Sequence, residues 1–151
     1  PEAELQLVFF YLVPLLLSWQ GRSPHEAPEV PAGAEEMLEE VFTDFRIAGL
    51  ADGAYTGLGL RRVLEDAELD PFFDFIGTSA EFGPAVSPRV VRRLARILGF
   101  DADQIVVVTG RADLAEALRH AGLAVVHVDG PDGVPAIPEA LDAVFSGYFS
   151  P

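Results

Sequence analysis

The chain has 151 residues, enough for one domain with a real core, and half of them are hydrophobic. Against 24 acidic residues stand 10 basic ones, all Arg, and the resulting net charge of -14 disfavours nucleic acid and anionic membrane, both of which demand Lys and Arg. With no cysteine there is no disulfide, thiolate nucleophile or Cys-based zinc site, which fits a reducing cytoplasm, the compartment expected here.

The first element is the most apolar run of the chain, LVFFYLVPLLL, from Leu7 to Leu17. It is bracketed by Gln6 and Ser18 and broken by Pro14, so it falls short of the roughly 20 apolar residues of a spanning helix. The residues before it, PEAE, lack the positive region of a secretory signal. Its β-branched and aromatic content over Leu7 to Val13 predicts a buried central strand ended by the proline.

A Pro/Gly-rich connector follows, after which Ala34, Met37, Leu38, Val41 and Phe42 have helical spacing. FRIAGLADG reads as a second strand entering a loop, LGLRRVLEDAEL as a helix buried through Leu60, Val63, Leu64 and Ala67, and FFDFIGTS as a third strand. Ser87 and Pro88 are suited to the N-cap and first position of a helix with the apolar stripe Val90, Val91, Leu94, Ile97 and Leu98, stopped by Gly99. QIVVVTG is an apolar strand, ADLAEALRHAG a helix closed by Gly122, LAVVHVDG another strand, and IPEALDAVFSGYF a last helix. The alternation predicts a three-layer α/β Rossmann-like domain over residues 1–151, with a parallel sheet of about five strands and helices on both faces.

This order of elements, most clearly in the segment DPFFDFIGTSAEFGPAVSPRVVRRLARILGFDADQIVVVTGRADLAEALRHAGLAVVHVDG, resembles the haloacid dehalogenase-like (HAD) hydrolases. RIAGLADG is similar to the family's second strand and LVFFYLVPLL to its first. The connector after the first strand is too short for an inserted helical cap, so the resemblance is to capless members. It implies specific groups at the strand ends, and none of them is present. Active members end the first strand in Asp-x-Asp, a nucleophile and a proton carrier that both help hold magnesium; here the matching residues are Tyr11 and Val13. A phenol with a pKa near 10 is a poor nucleophile at neutral pH, and valine neither carries a proton nor ligates a metal. The Ser/Thr of the second motif matches Ala51, the Lys of the third matches Ala85, and the Asp of the fourth matches Arg111, after Gly110.

Phosphoryl transfer depends on positioned charge and metal, so losing all of these groups together predicts a catalytically inactive HAD-like domain, with no cofactor and no metal, in a binding, scaffolding or regulatory role. The alternative is a divergent hydrolase acting on a small phosphorylated substrate and recruiting Asp52, Asp113 or Glu81; it requires two carboxylates converging in the crevice. Asp52 otherwise reads as a turn residue and Asp113 as a helix N-cap. Arg111, beside a helix N-terminus, is a candidate for holding a small anion, unless it pairs with Asp113. TGLGL lacks the third glycine of a dinucleotide fingerprint, and His25, His120 and His127 have no zinc-ligand spacing. Arg89, Arg92, Arg93 and Arg96 read as a solvated helix face. Finally, Leu15, Leu16, Leu17, Trp19, Phe145, Tyr148 and Phe149 have little predicted helix to cover them, which points to a homodimer or partner interface unless the two segments cover each other.

Overall fold

A computed structural model describes residues 6–52, 55–79 and 85–149, for 146–149 the backbone only. Five parallel strands, β1 (Leu7–Tyr11), β2 (Arg46–Ala51), β3 (Phe75–Thr78), β4 (Ile105–Thr109) and β5 (Ala124–His127), lie in the order β3-β2-β1-β4-β5. β1 is central because its residues are apolar on both faces: all five are buried, with Phe9 and Phe10 fully so. It pairs in register with Leu7 to Tyr11 opposite Arg46 to Leu50 on one side and Leu7 to Phe10 opposite Ile105 to Val108 on the other.

Side chains alternate across a strand, so β1 feeds two cores. Val8 and Phe10 pack with helices α2 (Ala34–Asp44), α3 (Gly57–Asp66) and α6 (Ile137–Phe149); Leu7, Phe9 and Tyr11 pack with α4 (Pro88–Ile97) and α5 (Ala112–His120). The result is the three-layer Rossmann-like α/β arrangement that the sequence predicts. Ser87 caps α4 by accepting from the Val90 amide, and Gly99, at φ +89°, takes the left-handed conformation that follows the helix end.

The first strand is shorter than expected. It stops at Tyr11, and Leu12–Leu15 form a single distorted turn, α1, inside which Val13 keeps extended angles and the Val13–Pro14 peptide is cis. Leu12 turns back over β2 at Gly49, where a Cβ would lie 2.8 Å from the Leu12 Cδ1, closer than real contacts allow. That close approach folds the chain away from the mouth of the sheet.

The connector that follows closes on itself. Ser18 and Glu29 form an antiparallel bridge, the Trp19 indole donates to the Glu26 carbonyl, and the Trp19 ring stacks on Tyr55 at 6.1 Å. No segment among the described residues builds a cap domain.

The expectation of an apolar surface at the two ends of the chain is corrected. Leu15, Leu16, Leu17 and Phe145 are buried in one cluster, where Phe45 and Phe145 stack at 5.1 Å, and Trp19 is half-buried. Both segments are covered in the core on the α2/α3/α6 face of the sheet, to which α6 returns. The Tyr148 and Phe149 side chains lie outside the described residues. No helix among the described residues is long and apolar enough to cross a membrane.

Candidate functional site

From β1 the chain runs outward through β2 to β3, then crosses to β4 and β5 on the other side, so the order reverses between β1 and β4. In open α/β sheets the crevice outside the strand carboxyl ends at such a reversal is where ligands bind. Three chain segments converge there: Tyr11 ends β1, Asp52 follows β2, and Arg111 occupies the N-cap position of α5 just after β4.

Period-two alternation sends the Tyr11 side chain to the α4/α5 face, where its hydroxyl donates to Asp52 Oδ2 at 2.6 Å and accepts from Arg111 Nη1 at 3.1 Å. The other oxygen of Asp52 accepts from the Val86 amide at 2.9 Å, which ties the loop before α4 to the crevice beside exposed Ala85. Arg111 Nη1 lies 3.7 Å from Asp52 Oδ2, and the guanidinium carbon stands 5.9 Å over the Tyr11 ring. Outward, Arg111 grips Asp113 with two bonds, Nε to Oδ1 at 3.1 Å and Nη2 to Oδ2 at 2.5 Å. The Arg111 amide is held by the fully buried Thr109 hydroxyl at 3.0 Å.

The electrostatics follow from these partners. Burial and the bond donated to Asp52 push the Tyr11 phenol up to about 12, so it stays protonated. Hydrogen bonds to Asp113 and Tyr11 raise Arg111 further still, and Arg111 in turn lowers the exposed Asp113 carboxyl.

Asp113 is not the N-cap that the sequence suggests. The helix begins two residues earlier, with the Thr109 hydroxyl taking the free amide of Arg111, and Asp113 lies in the first turn, where its charge suits the helix dipole. Val13 stands half-buried in the turn after β1, and Ala51 is buried at the end of β2. Glu81 lies outside the described residues. Sequence reasoning offered the Arg111–Asp113 pair, which the structure contains, as the alternative to an anion site, and placed Tyr11, Asp52 and Arg111 one at a time. It missed that these three bond to one another and that Val86 and Thr109 complete the network. The parallel register of β1 and β2, which sets Tyr11 opposite Leu50, would have brought Tyr11 near Asp52.

Solved structures of similar fold include several hydrolases. A HAD-superfamily hydrolase of subfamily IA from Geobacter sulfurreducens superposes with a TM-score of 0.69 at 12% identity, over 91% of this chain and all of the other. A hydrolase from Streptococcus pneumoniae gives 0.68 at 14% identity over 93% of this chain and all of the other. A haloacid dehalogenase-like family hydrolase from Xanthomonas campestris gives 0.61 at 18% identity over 79% of this chain and 57% of its own. The chain has the haloacid dehalogenase-like fold. No protein-family model matches the sequence, and no curated protein matches it.

The magnesium that the HAD resemblance implies does not fit these residues. Magnesium needs hard oxygen donors in near-octahedral array. Among the described residues, the carboxylate that enters the crevice is Asp52, whose two oxygens already accept from Tyr11 and Val86, and the cation beside it is the Arg111 guanidinium. Among the described residues no three His, Asp or Glu side chains come together to hold a metal ion. Two carboxylates do converge, Asp52 and Asp113, but on either side of Arg111 and not on an open reaction centre.

Proposed function

We propose that residues 1–151 form a single non-catalytic HAD-like domain, acting in the cytoplasm as a binding, scaffolding or regulatory module. One observation carries the reading: the carboxylate that enters the strand-end crevice, Asp52, is engaged on both oxygens by Tyr11 and Val86, with Arg111 beside it. A nucleophile must be free to attack, and phosphoryl transfer needs positioned cations facing the phosphoryl group. Here the carboxylate, the phenol and the guanidinium satisfy one another. A phenol held near 12 is a weaker nucleophile at neutral pH than a free tyrosine. Ala51 and Ala85, where the resemblance implies a hydroxyl and an ammonium, supply neither.

Thermal unfolding with and without magnesium tests the reading. The expected result is the same midpoint in magnesium and in a sodium salt of equal ionic strength. A rise specific to magnesium in the wild type would contradict it.

A further inference from the structure

The sheet separates two helical surfaces of opposite charge. On one side, α2 and α6 carry seven carboxylates and no basic residue, Glu35, Glu36, Glu39, Glu40 and Asp44 on the first and Glu139 and Asp142 on the second. Four of these, Glu40, Asp44, Glu139 and Asp142, line a cleft of about 580 Å³ between the two helices. On the other side, α4 carries four arginines and no carboxylate. In a chain with 10 basic residues and a net charge of -14, that concentrates a large share of the positive charge on one exposed helix face.

The α4 arginines are surface groups. Arg89, Arg92, Arg93 and Arg96 are all exposed, while Val90, Val91, Leu94 and Ala95 take the buried face. Arg92 donates to the Ala121 carbonyl, a neutral partner. The neighbouring α5 carries Glu116 and, at its end, Arg119, and its Asp113 is held by Arg111. The arginine face also bears a large exposed apolar side chain, Ile97 at 62% exposure at the end of α4.

We infer that the α4 arginine face docks on the α2/α6 acidic cleft of a second copy of this chain, giving head-to-tail assembly. Charge complementarity selects the occupant: the arginine face needs a carboxylate-rich surface, and the opposite side of the same molecule presents one. The two surfaces belong to different sheet faces, one packed on the Phe10 core and the other on the Phe9 core, so two copies cannot satisfy both contacts reciprocally. Such a heterologous contact builds open chains or rings, not a closed twofold dimer. The net charge works against it at long range, but at about 0.1 M salt the Debye length is ~10 Å, and only charges near the contact are felt. The assembly supplies a partner for the proposed non-catalytic role and does not depend on it, since it is read from mass and not from turnover.

The test is a charge-swap experiment on the full chain, read by sedimentation and light scattering at moderate salt. One variant carries Arg89→Glu with Arg96→Glu, and the other Glu40→Arg with Asp142→Arg; all four side chains are exposed, and circular dichroism checks that both variants fold. Wild-type mass should rise with concentration past the dimer. Each variant alone should remain a monomer, because like charges then face each other, and an equal mixture should regain the wild-type rise. A wild type that is monomeric throughout, a plateau at the dimer, variants that assemble as the wild type does, or a mixture that stays monomeric would each overturn the proposal.

Discussion

Phe10 and Tyr11 are neighbours on β1 and both are buried, at 0% and 2% exposure, yet they are held by different forces. Phe10 lies against the α2/α3/α6 core and meets Phe73 edge-to-face at 6.3 Å. Tyr11 ends in a hydroxyl with two charged partners. The body of the strand is governed by apolar burial, which any fold of this architecture needs, and its end by hydrogen bonding that only a site requires. In this chain the body of the strand is apolar and buried, while the polar groups at its end bond one another. The fold is therefore kept without the groups that the HAD resemblance implies for chemistry, and activity has to be argued from the site and not from the sheet.

Truncating the body should have the largest effect. Phe10→Ala removes a fully buried ring and is expected to lower unfolding stability by about 3–5 kcal/mol in urea titration. A loss below about 1 kcal/mol would break the distinction drawn between the two regions.

Tyr11→Phe keeps the ring and removes only the hydroxyl, so it should cost less, about 1 kcal/mol near neutral pH. Its pH dependence is sharper. The phenol pKa is raised from about 10 in the unfolded chain to about 12 in the fold, so between those values the native state binds more protons than the unfolded one. The stability from the protonated phenol is thus complete below pH 10 and falls as the pH rises through 12. Wild type should lose stability over that interval more steeply than Tyr11→Phe, as followed by urea midpoints; parallel curves would mean that burial and the bond to Asp52 do not hold the phenol protonated.

The smallest effect concerns anions at Arg111. Its guanidinium already holds Asp113 with two bonds, so phosphate would have to displace a carboxylate that is tethered two residues away. Phosphate and sulfate should raise the melting temperature of wild type and Arg111→Ala equally, through general screening of an acidic chain. A larger rise in the wild type would assign Arg111 an anion after all.

The sheet was legible because its signals are local. IVVVT in β4 and LVFFY in β1 are uninterrupted apolar runs, Ser87-Pro88 marks the start of α4, and the glycine after it marks the end. What the sequence could not supply depends on separations of 34 to 100 residues. The Tyr11–Asp52 bond joins positions 41 apart and the Tyr11–Arg111 bond positions 100 apart, and each requires a register that no local pattern states. Asp52 looked like a turn residue because Asp-Gly favours turns whether or not the carboxylate has a distant partner. The burial of Leu16, Leu17 and Phe145, which the sequence left open as the alternative to an interface, has the same cause: their cover comes from residues distant in the chain, Phe45 over Phe145 among them.

The most direct test of a strand end closed by its own residues is turnover. Purified protein is assayed with magnesium against a range of phosphorylated small molecules, beside its Asp52→Asn variant and an active hydrolase of the same fold. The account predicts no release of phosphate above background from either the wild type or the variant. Magnesium-dependent release by the wild type that disappears in Asp52→Asn would contradict it, because Asp52 would then be free to act in spite of Tyr11, Val86 and Arg111.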